Sequence, residues 1–305
     1  MADFDFTTDY RYAAIILFPI ALFGLISNLT VVAFLRVVPS LNNPFGSLTL
    51  SQAIGDCGHQ FFFAFYYAPC LFVRDAGFYS WSPHIGFVIM IFYEINLLSH
   101  VFISANRFFA VFTPFMYNKI FSTRNTRILI CIYWIFSVAS IVYKFQTGNC
   151  SFYLPQGLWI FTYGESEFCQ NVRLFDFIKF IIYVVIIGVL DVITIMKINY
   201  LRVRQVHGSQ STVSSVRSSQ TIVPPVRRNR QMNLIYQAVF QGAGIFLELI
   251  TYYILQGIAR NKWELFLMTS VVWCTAHAMD GFIVIVCNRE FRRYAKKIFL
   301  CRWST

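Results

Sequence analysis

The sequence predicts an all-α fold: a seven-transmembrane helix bundle with the N-terminus outside and a short amphipathic helix after the seventh span. Three observations carry this. Of 305 residues, 57% are hydrophobic and only 13% charged, with a mean hydropathy of +0.57; soluble domains run nearer 45–50% apolar and about 25% charged. Seven segments reach the roughly 20 apolar residues that cross about 30 Å of hydrocarbon at about 1.5 Å per residue. The basic residues fall into alternate loops, as a seven-span chain with a positive inner face requires.

The spans are expected at 12–35, 46–72, 84–108, 127–147, 173–198, 232–256 and 264–287, in one domain covering 1–305. They are longer than barrel strands and lack strict alternation. Before the first span, MADFDFTTDY is acidic and has no basic n-region, so this helix is read as retained and not as a signal peptide. Of the 25 Lys and Arg residues, 18 lie on the side that holds Arg36, Arg107, Lys119, the 199–231 segment and the C-terminal tail. That side is cytosolic by the positive-inside rule. Residues 199–231, Ser-rich and basic with Pro224 and Pro225, are expected to form a flexible loop, in which Ser214, Ser215, Ser218 and Ser219 are kinase candidates. Residues 289–300 place Phe291, Tyr294, Ala295, Ile298 and Phe299 on one helical face and Arg292, Arg293, Lys296 and Lys297 on the other. Such a helix lies along the anionic inner leaflet, and Cys301 beyond it is either a palmitoylation site or a free thiol.

Polar residues inside apolar spans are costly, roughly 2.5–3.5 kcal/mol for a central Asp on insertion scales, and so face the bundle interior. Asn28, Asp56, Asn96 and Asp280 are therefore expected to form one intramembrane network, either a water- or sodium-filled cluster that can rearrange or a static interhelical one. At the inner end of the third span stand Asn106-Arg107-Phe108, followed by Pro114 and Tyr117. An arginine there is either the residue that meets a partner when the helices part or an interfacial anchor; its place on the third span favours the first.

Those segments carry a resemblance. The strings SLTLSQAIGD, NRFFAVFTPFMYNKIFS and DGFIVIVCNREFRR, with the seven spans, resemble the nematode serpentine chemoreceptors of class x, a branch of the rhodopsin-like G-protein-coupled receptors. The likeness covers essentially the whole chain. It implies a chemosensory receptor that binds a small-molecule ligand and a heterotrimeric G protein, in the plasma membrane and in a sensory-neuron cilium. Asn106, Arg107, Phe108 and Tyr117 are the coupling residues it implies. Three departures stand out: Asn106 replaces the usual aspartate, so no adjacent carboxylate restrains Arg107 and higher basal activity is expected; the sixth span has no proline, leaving Gly242 and Gly244 to supply any bend; and Gly281 follows Asp280 where proline is usual.

Counting rise from the outer ends puts Tyr93, Glu94, Glu248 and Trp273 at similar depth, where they line a ligand pocket or bond neighbouring helices. Ile89 stands where amine receptors carry an aspartate, and the seventh span has no lysine for a retinal Schiff base. Cys70, Cys150 and Cys169 lie on the outer, oxidising side; the pairing is Cys150 with Cys169, or one of them with Cys70. The third-span cysteine usual in rhodopsin-like receptors is missing, with Ser82 near its place. Asn149-Cys150-Ser151 is an outward glycosylation triplet. No catalytic set, metal-ligand spacing or phosphate-cradling loop is present, so no enzyme activity, metal or cofactor is expected, and no nucleic-acid partner. The alternative class is a transporter or ligand-gated odorant channel. It is disfavoured by the lack of an internal repeat and by the charge asymmetry. Ligand identity, G-protein subtype and oligomeric state are not encoded in these patterns.

Overall fold

The computed structural model describes residues 9–38, 41–148, 150–210, 225–288 and 291–293. Its elements are α1 (Asp9–Val37), α2 (Pro44–Phe62) continuing through a π-turn (Phe63–Tyr67) into α3 (Ala68–Val73), α4 (Ala76–Phe112), α5 (Pro114–Ile120) and α6 (Thr123–Thr147). A hairpin of β1 (Phe152–Tyr153) and β2 (Thr162–Tyr163) follows, then α7 (Glu167–Gln210), α8 (Pro225–Tyr253), α9 (Lys262–Phe266), a second π-turn (Leu267–Val271) and α10 (Val272–Cys287). The molecule is a seven-helix transmembrane bundle, with α2–α3 acting as the second rod and α9–α10 as the seventh.

Local chemistry sets the starts. Asn43 caps α2 by accepting from the Gly46 amide at 3.0 Å, with Pro44 at the first helical position. Asp75 caps α4 through the Gly77 amide at 2.8 Å, and Ser122 caps α6 through Asn125 at 3.1 Å. The first π-turn sits just ahead of Pro69, which lacks an N–H and whose ring would strike the carbonyl four residues back; widening the turn relieves both.

Among the described residues, five helices are apolar and long enough to span by composition: α1, α4, α6, α7 and the seventh rod. The second rod falls short because Gln52, Asp56, His59 and Gln60 all point into the bundle and are buried. The third rod, α4, is the central post: 61% of its most apolar window is buried, against 22% for α6 and for α7. Those two turn Ile135, Phe136, Val185 and Val192 outward, the apolar belt that lipid requires. Close approach is bought with glycine at two points. A Cβ on Gly24 of α1 would lie 2.7 Å from the Ala278 Cβ of α10, and one on Gly86 of α4 would lie 1.8 Å from the Phe152 carbonyl of the hairpin.

The inner segment expected as a loop over 199–231 is shorter than that reading. Helix α7 runs on to Gln210 and α8 begins at Pro225, because good helix formers flank the Ser-rich stretch on both sides. The four serines at 214–219 lie outside the described residues, as do Asn149 and Cys301. Of the amphipathic segment at 289–300, residues 291–293 are described and helical; Phe291 is buried, its ring 5.5 Å from Phe34 of α1.

Candidate functional site

Three sites stack along α4. At the outer end, the 150–166 loop folds over the bundle. The disulfide joins Cys150 to Cys169, which resolves the open pairing, and Cys70 is a buried free thiol and not a partner. The hairpin settles on α4 through Ser82: its hydroxyl accepts from the Leu154 amide at 3.3 Å, a hydrogen bond where rhodopsin-like receptors usually have a third-span cysteine. The Trp159 carbonyl accepts from Tyr67 at 2.5 Å and from Ser270 at 3.3 Å, and the Phe161 carbonyl from Tyr252 at 3.2 Å. The loop is thus tied to the second, third, sixth and seventh rods.

Beneath it lies a narrow crevice of about 20 Å³, room for about one water molecule. Tyr93 and Met90 of α4, Glu248 and Tyr252 of α8, and Trp273 of α10 form its walls, and Phe152 and Tyr163 its roof. Tyr93 stands edge-on to Trp273 with centroids 5.6 Å apart, and the indole Nε1 of Trp273 has no hydrogen-bond partner. The lining offers aromatic faces, the indole N–H and the Glu248 carboxyl, which would meet a small aromatic or aliphatic molecule only if the walls part to admit it.

Three of the four expected pocket residues, Tyr93, Glu248 and Trp273, meet there; Glu94 does not. It turns toward the fifth rod, pairing with Lys179 and accepting from Tyr183 at 3.3 Å. Lys179 also meets Asp176 at 3.1 Å, and Asp176 pairs with Lys144 at 2.5 Å and accepts from Tyr163 at 3.0 Å. Burial pushes the Tyr163 hydroxyl well above the usual tyrosine range, so it stays a donor to Asp176. Two acids and two lysines thus clamp α4, α6 and α7 together and reach up to the hairpin. Lys144, Asp176 and Lys179 carry no signal in the sequence that would have singled them out.

In the middle of the bundle the four network residues lie close together, with histidines among them. Asn96 donates to Asp56 at 2.7 Å, and Asp56 also pairs with His277 Nδ1 at 2.7 Å. Asp280 pairs with His100 Nε2 at 3.0 Å, and His100 meets Gln52 at 3.1 Å. Asn28 donates to the Gly24 and His277 carbonyls at 2.9 and 3.1 Å, joining through the backbone of α10. The His59 ring lies against His277, centroids 4.1 Å apart. Gln52, His59, His100 and His277 were missed, although helical spacing pointed to two of them: His100 is four residues after Asn96 and His277 three before Asp280, each on the same face. A Cβ at Gly281 would lie 2.6 Å from the Asn28 Oδ1, so the residue after Asp280 must be small for α1 and α10 to meet.

At the inner end Arg107 is not free of carboxylates. Its Nη2 bonds Asp191 of α7 and Ser104 of α4, each at 3.1 Å, while Ser104 donates to the same carboxylate at 3.1 Å. No carboxylate adjoins Arg107 in the chain, as expected, but one from the fifth rod, Asp191, faces it in space. Its place opposite Arg107 is set by packing and has no local signal. Asn106 instead donates to the Tyr117 hydroxyl at 3.2 Å, fastening α5 to α4, and Phe108 stacks on Phe112 with centroids 4.5 Å apart. Gly242 and Gly244 have no atom within 4 Å of where a Cβ would stand, so packing does not require glycine there.

A family model described as serpentine type 7TM GPCR chemoreceptor Srx matches residues 18–288. Serpentine receptor class X 45 of Caenorhabditis elegans is 26% identical over 302 residues, covering 92% of this chain and 80% of that protein. Serpentine receptor class X-43 of the same organism is 26% identical over 301 residues, covering 97% and 90%. Among solved structures, squid rhodopsin superposes with a TM-score of 0.74 at 17% identity, over 95% of this chain and 85% of that one.

Proposed function

The chain belongs to the serpentine 7TM GPCR chemoreceptor family Srx, and from that premise we propose that it binds a small organic ligand in the crevice under the hairpin and activates a heterotrimeric G protein at its basic inner face. The family is one of multi-pass membrane chemoreceptors and not of enzymes. In this reading the protein sits in the plasma membrane of a sensory cell, at its cilium.

The observation that carries the proposal is the pairing of Arg107 with Asp191 across α4 and α7. It holds the inner ends of two rods together with a bond that must break if they separate. The crevice lies on the same post as the lock, at Tyr93, so a ligand that draws α8 and α10 toward α4 acts on the helix that carries Arg107. Mechanistically this is population shift. A ligand favouring the parted state raises its share, Arg107 leaves Asp191, and the inner ends of the third, fifth and sixth rods become a docking surface.

The experiment is guanine-nucleotide exchange on co-expressed Gα subunits in membranes challenged with volatile and soluble organics, comparing wild type with Arg107→Ala. Exchange driven by one compound class and lost in the variant supports both assignments. Current or solute flux with no exchange on any subunit replaces the receptor reading with a channel or transporter.

A further inference from the structure

We propose that Asp56, His277 and Asp280 form a transition-metal site in the centre of the bundle, selective for zinc-like divalent ions over sodium and calcium. Three features of the geometry point there. One ligand atom from each residue lies within 4.8 Å of the other two, and all three residues are buried. A metal bonded at about 2.0–2.1 Å holds its ligand atoms roughly 3.3 Å apart, so a small closing of the group around an ion suffices.

The pairing of elements is also that of a metal centre. His277 and Asp280 are three apart on one helix, so both side chains project from the same face, the spacing by which metal sites in helix bundles are built. Asp56 approaches from α2, on the facing rod. One imidazole with two carboxylates leaves coordination positions open for water. The imidazole nitrogen distinguishes the site from one for alkali or alkaline-earth ions, which take oxygen ligands, and suits zinc, cobalt or nickel.

Finally, the cluster has unused capacity. Asp56 Oδ1 is engaged by Asn96 and His277 while its Oδ2 has no partner; His277 Nε2 and the Asn96 Oδ1 are likewise unpartnered. Unpaired polar atoms in a membrane interior are unfavourable, and the repulsion between two buried carboxylates is relieved by a proton, by the protonated histidines beside them or by a bound cation. A second set of residues is in place to hold the ligands: Asn96 on Asp56, and His100 on Asp280, itself held by Gln52. Bound there, the ion would staple the second rod to the seventh.

The test uses the purified full-length receptor in lipid nanodiscs, stripped with chelator and titrated with cobalt(II) in the presence of sodium. The expected result is one equivalent bound with a visible d–d band, displaced by one equivalent of zinc. His277→Gln and Asp280→Asn should weaken cobalt affinity by about 100-fold and His100→Gln by about tenfold. His84→Ala, which removes an exposed histidine at the outer end, should leave it unchanged. Each variant's folding is read from its helical circular dichroism and melting. X-ray absorption of the zinc-loaded wild type, which needs no variant, should show one imidazole with oxygen ligands. A folded wild type that binds no cobalt, binding unchanged in folded His277→Gln, loss in His84→Ala, or a zinc shell without imidazole each overturns the proposal.

Discussion

Removing the Asp191 carboxylate should make the receptor signal without ligand. In Asp191→Asn the side chain keeps its shape and a hydrogen bond to Ser104 or Arg107, but the charge that faces Arg107 is gone. The two groups lie 3.1 Å apart, with both side chains only about a tenth exposed. At an effective dielectric of about 20, unit charges near 4 Å attract by about 4 kcal/mol. Roughly half of that survives solvent access from the inner face and the hydrogen bond that asparagine retains, leaving about 2 kcal/mol. The Arg107 Nε and Nη1 are already without partners, so no other group compensates. If the pair exists only in the closed bundle, about 2 kcal/mol shifts the closed-to-open equilibrium by about 30-fold. Ligand-free exchange on the coupled Gα should rise about tenfold or more, measured in membranes normalised to receptor at the surface. Arg107→Ala should act in the opposite direction on ligand-driven exchange, since in the proposed mechanism it removes the group that meets the G protein. An Asp191→Asn receptor that reaches the surface in normal amount with basal exchange equal to wild type would refute the lock.

Three further outcomes follow from the packing. Cys169→Ser opens a loop of 19 residues, whose closure is worth about 3 kcal/mol by chain entropy, so the melting temperature of the solubilised receptor should fall and the ligand response weaken; Cys70→Ala should leave the response intact, since Cys70 is unpaired. Gly281→Ala forces a Cβ against Asn28 and should destabilise by about 1–3 kcal/mol in thermal unfolding, whereas Gly242→Ala meets open space and should be neutral or stabilising by up to about 1 kcal/mol. Glu248→Gln and Tyr93→Phe, which alter the crevice wall, should raise the half-maximal ligand concentration about tenfold while leaving ligand-free exchange as in wild type; equal changes in both quantities would place these residues outside ligand contact.

The seven rods, their orientation and the inward placement of Asn28, Asp56, Asn96 and Asp280 are local properties. Span length follows from bilayer thickness, orientation from the sign of nearby loops, and an ionisable group in hydrocarbon turns inward whatever its eventual partner. Depth is equally local, because each residue adds a fixed rise, and that is why Tyr93, Glu248 and Trp273 line one crevice. Rotation about the helix axis is not settled by depth. Glu94 follows Tyr93 by one residue, about 100° around the helix, and so leaves the crevice for Lys179 on the fifth rod.

The partners themselves belong to the tertiary structure. Arg107 and Asp191 are 84 residues apart, Asp56 and His277 are 221 apart, and nothing in either neighbourhood names the other. Whether Cys150 closes on Cys169 or Cys70 depends on where the hairpin seats, which Ser82, Gly86 and Trp159 decide together. Hydropathy and charge fix how far each helix runs and which way it points. Only the packing of seven helices at definite rotations brings a carboxylate to a guanidinium, or a histidine to two aspartates, because those meetings are settled by which faces fit against one another.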